Sequence, residues 1–253
     1  MSGSDRPVDE APIVTAAAVL AWRERAGLGR SRPVPGRILM LLDGPTFDAV
    51  RRRRDVRDAA AAGGRFAVLR RRGREDIGIL APRGPGGPAI AVAVEELAAM
   101  GAREFIAVGI AGGLAGSVST GSIVVVDMAL PEDGVSRLYG AGSGPVPADP
   151  ALVGAVDAAL SRSGIAHQRG TSWTTDAIYA ETPSQVAAAV DRGASVVDME
   201  AAGLFAVTRA LGLAAAATVV VGDSIAGTTW HPPTDIRTVQ AGLASAATAL
   251  LEW

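Results

Sequence analysis

GPGGPAIAVAVEELAAMGAREFIAVGIAGGL, residues 84–114, decides how this chain is to be folded. Pro88 suits a first helical turn, where its missing N–H costs nothing, and Gly101 suits the stop at the far end. The apolar stretch between them reads as a buried helix, and EFIAVGI (104–110) follows it as a strand. Working outward, DIGILA (76–81) supplies a strand before the helix, and SIVVVDMAL (122–130) another after the loop AGGLAGSVSTG (111–121). ADPALVGAVDAALSRSG (148–164) has Asp149 as N-cap, Pro150 at the first helical position and Gly164 at the end, which predicts an amphipathic surface helix. ASVVDM (194–199) and AAAATVVVGDSI (214–225) read as buried strands separated by the helix EAAGLFAVTRALG (200–212), and a last helix closes the chain within 234–253. Apolar strands alternating with helices predict an α/β fold: a single domain whose mixed central sheet, largely parallel at its centre, is flanked by helices on both faces.

Length and composition agree. A chain of 253 residues suits one sizeable α/β domain, and 49% hydrophobic with 20% charged residues is ordinary for a compact chain. Residues 1–36 read as an N-terminal tail (MSGSDRPVDE, 1–10) and a connector (GRSRPVPGR, 29–37) leading into the strand ILMLL (38–42), so the domain proper is expected over 37–253. A formal charge of −2 argues against a partner held by neutralising many phosphates, so no nucleic acid is expected. The arginine runs RRRRDVRD (51–58) and RRRGRE (70–75) are read as solvated helix and turn faces, because acids interleave them. Cysteine is absent, which excludes disulfides and thiolate chemistry and fits a cytoplasmic protein. All 24 basic residues are arginine, which excludes Schiff-base chemistry and a P-loop lysine. No uninterrupted apolar run is long enough for a membrane span.

In sheets of this kind ligands gather at the carboxyl ends of strands. Four segments fall there: LDGPT (42–46), GIAGG (109–113), VDME (197–200) and VGDSIAG (221–227). Taken singly, Glu200 is either a ligand-binding acid or a first-turn acid complementing the helix dipole, and Asp223 is either catalytic or a turn residue. A glycine-rich GIAGGLAG serves any tight turn.

Together and in order these segments resemble the nucleoside phosphorylase superfamily, the fold shared by uridine phosphorylase, hexameric purine nucleoside phosphorylase and the methylthioadenosine nucleosidases. The 84–114 stretch is similar to the family's glycine-rich strand end, helix and following strand. VDMEAAGLFAVTRALG (197–212) is similar to its ribose-binding motif, and VVVGDSI (219–225) stands where purine-cleaving members carry an acid. The resemblance implies an N-glycosyl enzyme in which Glu200 accepts hydrogen bonds from the ribose hydroxyls and Met199 packs on the sugar. It also implies that Asp223 protonates a departing purine, that Ile178 and Tyr179 wall base and sugar, and that Gly112 and Ile110 line the strand-end loop. Arg237 falls near the family's arginine partner of that aspartate. Thr182 and Ser184 stand where uridine phosphorylases read uracil with Gln and Arg, which favours a purine-type base. Asp198 lies outside the resemblance and reads as a supporting acid behind the site or as a solvent-facing residue.

The phosphate site departs from the family pattern. Phe47 stands near the first-loop arginine, Ala107 replaces a second arginine and Ile110 a hydroxyl residue; Arg65 matches an arginine donated to a neighbouring subunit, and Arg83 lies nearby in sequence. An anion desolvated without donors binds weakly, so hydrolysis is expected ahead of phosphorolysis, with Asp43 or Asp48 activating water. The alternatives are phosphate as co-substrate, another acceptor filling an apolar space made by Phe47, Ala107 and Ile110, or a silent nucleoside-binding protein. No cofactor is expected. His167 and His231 lack metal-ligand spacing, so no metal is expected either. Trp22, Trp230 or His231 are candidates to meet the sugar 5′ position, while Trp173 and Trp253 are expected to pack. The resemblance further implies a homo-oligomer, a dimer or a hexamer built as a trimer of dimers.

Overall fold

The computed structural model describes residues 11–29, 32–227 and 229–253; the tail at 1–10 lies outside them, as do two connector residues. Ten strands run as β1 (Arg37–Leu41), β2 (Val56–Ala59), β3 (Gly64–Leu69), β4 (Ile77–Pro82), β5 (Glu104–Gly113), β6 (Ile123–Pro131), β7 (Val146–Pro147), β8 (Gln168–Thr174), β9 (Ala194–Asp198) and β10 (Ala214–Ser224). Eight α-helices are α1 (Ala16–Arg25), α2 (Gly44–Arg51), α3 (Gly87–Ala99), α4 (Gly134–Leu138), α5 (Pro150–Arg162), α6 (Pro183–Asp191), α7 (Ala201–Ala210) and α8 (Ile236–Glu252), with a short 3-10 turn at Ile178–Ala180.

The sheet is mixed, as the sequence predicts, in the order β10-β6-β8-β9-β5-β1-β4-β3-β2. It also closes, because β10 pairs with β5 as well as with β6, so β5, β10, β6, β8 and β9 form a ring and β1, β4, β3 and β2 extend from it. β4, β1, β5 and β10 lie side by side in that order and pair parallel with one another, at Arg37↔Ile77, Arg37↔Glu104 and Ala214↔Glu104. β9 meets β5 antiparallel over only Gly112↔Val197 and Gly113↔Val196. The carboxyl ends of β5 and β9 therefore converge, and the end of β10 comes alongside them at Asp223↔Gly112 after a bulge. That convergence places the site.

Two helix groups flank the sheet: α1, α3, α4 and α7 pack together on one side, and α2, α5 and α8 on the other. Trp173, Phe47, Phe105 and Phe205 are the largest fully buried side chains. α5 starts at Asp149, whose side chain accepts from Leu152 N–H, and α3 carries its proline in the first turn. Helix α1, unforeseen within 1–36, docks through buried Leu20 and the ion pair Arg23–Glu96 at 2.9 Å. Its sequence AAAVLAWRER has no apolar stripe, so no helical period marked it. The arginine run 51–58 ends α2 and continues into the edge strand β2 rather than staying helix and turn; its arginines still face solvent, as in the Arg51–Asp58 pair.

Candidate active site

A cavity of about 880 Å³ opens where the strand ends converge. Its wall carries Asp43 from the β1–α2 junction, Ile110 and Gly112 from β5, Ile178, Tyr179 and Glu181 around the 3-10 turn, Asp198, Met199 and Glu200 from the β9–α7 junction, and Asp223 from β10. Five carboxylates therefore face one space, and no arginine or histidine of the described residues joins them on the wall.

Glu200 sits at the N-cap of α7 without capping it. Its Oε1 instead accepts the N–H of Gly86 at 2.6 Å, and its Oε2 that of Met199 at 3.3 Å. Two glycines make this reach available. Gly86 has φ of +87°, a left-handed turn that suits glycine and aims its N–H inward. At Gly203 a Cβ would lie 3.3 Å from the Cα of Gly87, so α7 and α3 approach closely enough to bring the two loops together. Burial raises the pKa of Glu200, while the two N–H donors pull the other way.

Asp198, read from sequence as either supporting or solvent-facing, is buried, which overturns the solvent-facing reading. Thr174 Oγ1 donates to its Oδ1 at 2.6 Å and accepts from Ala202 N–H at 3.0 Å, and Ala201 N–H donates to its Oδ2 at 3.2 Å. This clip ties the ends of β8 and β9 to the first turn of α7. Burial, reinforced by the charge of Glu200, pushes the Asp198 carboxyl up to about 7.

At the end of β10, Trp230 Nε1 donates to Asp223 Oδ2 at 2.6 Å. Glu181, on the same wall, is pushed up to about 7 by burial first and by the charge of Asp223 second. Gly112 faces this pair: a Cβ there would stand 2.9 Å from Val197 Cγ1 and 3.2 Å from Asp223 Oδ1. Asp43 caps α2, its Oδ2 accepting from Thr46 N–H at 2.8 Å and from the Thr46 hydroxyl at 2.7 Å.

Several sequence candidates lie elsewhere. Phe47 and Ala107 are packed in the core, at 1% and 2% exposure, so the apolar space expected from them with Ile110 reduces to Ile110 alone. Asp48 is half-buried and ion-paired to Arg65, whose hydrogen bond and charge hold its pKa low; neither lies on the cavity wall, and the Arg65 guanidinium covers the Phe47 ring at 4.6 Å. A paired surface carboxylate cannot activate water inside the cavity of its own chain. Arg237 pairs with Asp235 at 3.0 Å, and Trp230 rather than Arg237 meets Asp223. Of the candidates for the sugar 5′ position, Trp230 lines the cavity and Trp22 and His231 do not. His167 pairs with Asp157 at 3.4 Å, away from the site. Trp173 is buried and Trp253 lies under the Arg37 guanidinium at 3.9 Å. Among the described residues no group of three or more His, Asp and Glu is arranged to hold a metal, and no helix is long and apolar enough to cross a membrane.

A family model described as the phosphorylase superfamily matches residues 17–252. The chain belongs to the phosphorylase superfamily. Within it, a guanosine phosphorylase of Halorubrum lacusprofundi is 36% identical over 146 residues, 57% of this chain and 60% of that protein. A uridine phosphorylase of Thermococcus kodakarensis is 34% identical over 96 residues, 38% of this chain and 35% of that protein. The aligned stretches thus span less than two thirds of these relatives. Among solved structures, a purine nucleoside phosphorylase from Toxoplasma gondii in complex with immucillin-H superposes with a TM-score of 0.76 at 22% identity, covering 88% of this chain and 92% of that one. A uridine phosphorylase from Vibrio fischeri superposes at 0.74 with 24% identity, covering 87% and 90%. At these identities the likeness establishes the fold that this superfamily member shares with them.

Glu181 is the cavity acid that sequence reasoning missed, and Asp198 the one it left between two readings. Both gain their chemistry from burial beside another carboxylate, and neither spacing nor residue type announces that.

Proposed function

We propose that this phosphorylase-superfamily member cleaves the N-ribosyl bond of a purine-type nucleoside with water as acceptor. The observation that carries the proposal is the wall of five carboxylates without a cation among the described residues. Breaking the bond makes C1′ cationic, and fixed carboxylates in a partly dry cavity favour that charge. The same carboxylates repel phosphate, whose desolvation no donor side chain on the wall offsets. Glu200, held by Gly86 and Met199, takes the ribose hydroxyls; Met199 packs on the sugar; Ile178 and Tyr179 flank the base; Asp43 takes a proton from the attacking water through the oxygen that Thr46 leaves. Asp223 and Glu181 form the acidic end that faces the leaving base, which would otherwise depart as an anion.

Phosphorolysis is the second reading, favoured by the name of the Halorubrum relative. It requires a cation from outside this chain's cavity, and Arg65, turned to the outer face, is the group a neighbouring copy in a homo-oligomer would lend. The deciding assay follows free base released from guanosine, inosine, adenosine and uridine with and without phosphate. Release from the purine nucleosides at a rate independent of phosphate is expected. Strict dependence on phosphate overturns the choice of water, and release from uridine alone overturns the choice of base.

A further inference from the structure

Resting on that reading, we infer that Glu181, rather than Asp223, hands the proton to the departing base. The two carboxyl groups share one end of the cavity, close enough for the charge of Asp223 to act on Glu181. Their hydrogen bonding differs. Asp223 accepts the indole N–H of Trp230 at 2.6 Å. An indole has no acceptor to offer in return, so this Asp223 oxygen is engaged as an acceptor. Among the described residues no donor reaches the Glu181 carboxyl, which is partly buried and faces an anion. Two neighbouring carboxyls in a poorly solvated site do not both ionise readily, and the one without a donor keeps the proton. A pKa of about 7 then leaves Glu181 about half protonated at neutral pH and ready to release.

The other titratable groups on the wall are Asp43, Tyr179, Asp198 and Glu200, so no neighbouring cation of the described residues reverses this assignment. In the step itself the C1′–N bond breaks and its electron pair moves onto the base. The Glu181 O–H gives its proton to a ring nitrogen of the base, leaving a carboxylate. Water bonds to C1′ through its oxygen and gives a proton to Asp43, so one water is added overall. Solvent then restores the proton on Glu181, helped by repulsion from Asp223, and Asp43 returns its proton to solvent.

The test compares guanosine with 7-methylguanosine, whose base already carries a positive charge and leaves without protonation. The full-length wild type, Glu181→Gln and Asp223→Asn are assayed from pH 5.5 to 9 with phosphate present throughout, so that either acceptor can serve. For the wild type, kcat/KM on guanosine falls as pH rises past about 7 while that on 7-methylguanosine stays level. Glu181→Gln loses about 100-fold or more on guanosine and stays within about threefold of wild type on 7-methylguanosine, which also shows that the variant is folded. Equal losses on both substrates, full retention on guanosine, or the selective loss appearing only in Asp223→Asn overturns the assignment while leaving the cleavage activity standing. A wild type that cleaves neither nucleoside overturns the activity and this assignment with it.

Discussion

Replacing Asp198 by Asn changes the pH dependence of stability in a direction the structure dictates. The carboxyl is buried, and burial holds its pKa at about 7 against 3.8 for an ordinary aspartate. The folded state thus binds this proton more tightly than the unfolded chain, so the stability that Asp198 contributes is fully present below about pH 4 and is lost as pH rises toward 7. Each pH unit in that window is worth about 1.4 kcal/mol, and between pH 5 and pH 8 this one group removes about 3 kcal/mol from the wild type. Asparagine cannot ionise and escapes that loss. It keeps an acceptor for Thr174 but turns an NH2 toward Ala201 N–H, where Oδ2 accepted at 3.2 Å. The mismatch costs about 1–3 kcal/mol at every pH. Asp198→Asn is therefore expected to be less stable than wild type at pH 5 and to match or exceed it at pH 8. Urea unfolding at fixed protein concentration, run at half-unit steps of pH, reads the difference directly. A gap between the two proteins that stays constant from pH 5 to pH 9 would refute the reasoning, because it would mean that Asp198 titrates like an exposed aspartate.

Gly112→Ala places a Cβ 2.9 Å from Val197 and 3.2 Å from Asp223 Oδ1; turnover is expected to drop by about tenfold or more through misplacement of the acidic end, with the unfolding transition retained, and steady-state kinetics beside a melting curve checks both. Thr174→Val removes a hydroxyl that serves Asp198 and Ala202 N–H together, so it should destabilise by about 2–3 kcal/mol in urea unfolding even though valine nearly matches threonine in volume. Trp230→Phe removes the N–H held by Asp223 while keeping an aromatic ring, and kcat/KM on guanosine should fall by about tenfold as Asp223 loses its anchor, with the unfolding transition retained; unaltered kinetics would contradict the role given to the indole.

Much of the fold was legible because its central strands are buried on both faces and read as continuous apolar runs, as in AAAATVVVGDS of β10, and because Asp149, Pro150 and Gly164 mark their helix chemically. The closing of the sheet was not legible. It depends on a two-residue contact between β5 and β9 and on a second partner for β10, neither of which leaves a local pattern. Helix α1 and strand β2 escaped for a related reason: one lacks an apolar stripe and the other is a four-residue exposed edge, VRDA, without an apolar alternation. At the site, the strand-end segments pointed to Glu200, Met199 and Asp223, which share the cavity. Asp48, named for its place in the first strand-end loop, and Arg237, named from the family resemblance, are each held in a surface ion pair instead, with Arg65 and with Asp235. Glu181 carried no signal and Asp198 was legible only as one of two alternatives, since what distinguishes them is the dryness of their surroundings.

The grip of Glu200 on a pentose is tested most directly by measuring kcat/KM for the best-cleaved ribonucleoside and for its 2′- and 3′-deoxy forms, in wild type and in Glu200→Ala. A hydrogen bond to a charged group contributes about 1.5–3 kcal/mol, so the wild type is expected to prefer the ribonucleoside by roughly tenfold to a hundredfold, and the variant to lose about that much activity together with the preference. A variant that still tells the ribonucleoside from its deoxy forms as sharply as the wild type does would show that the hydroxyls are held by something else.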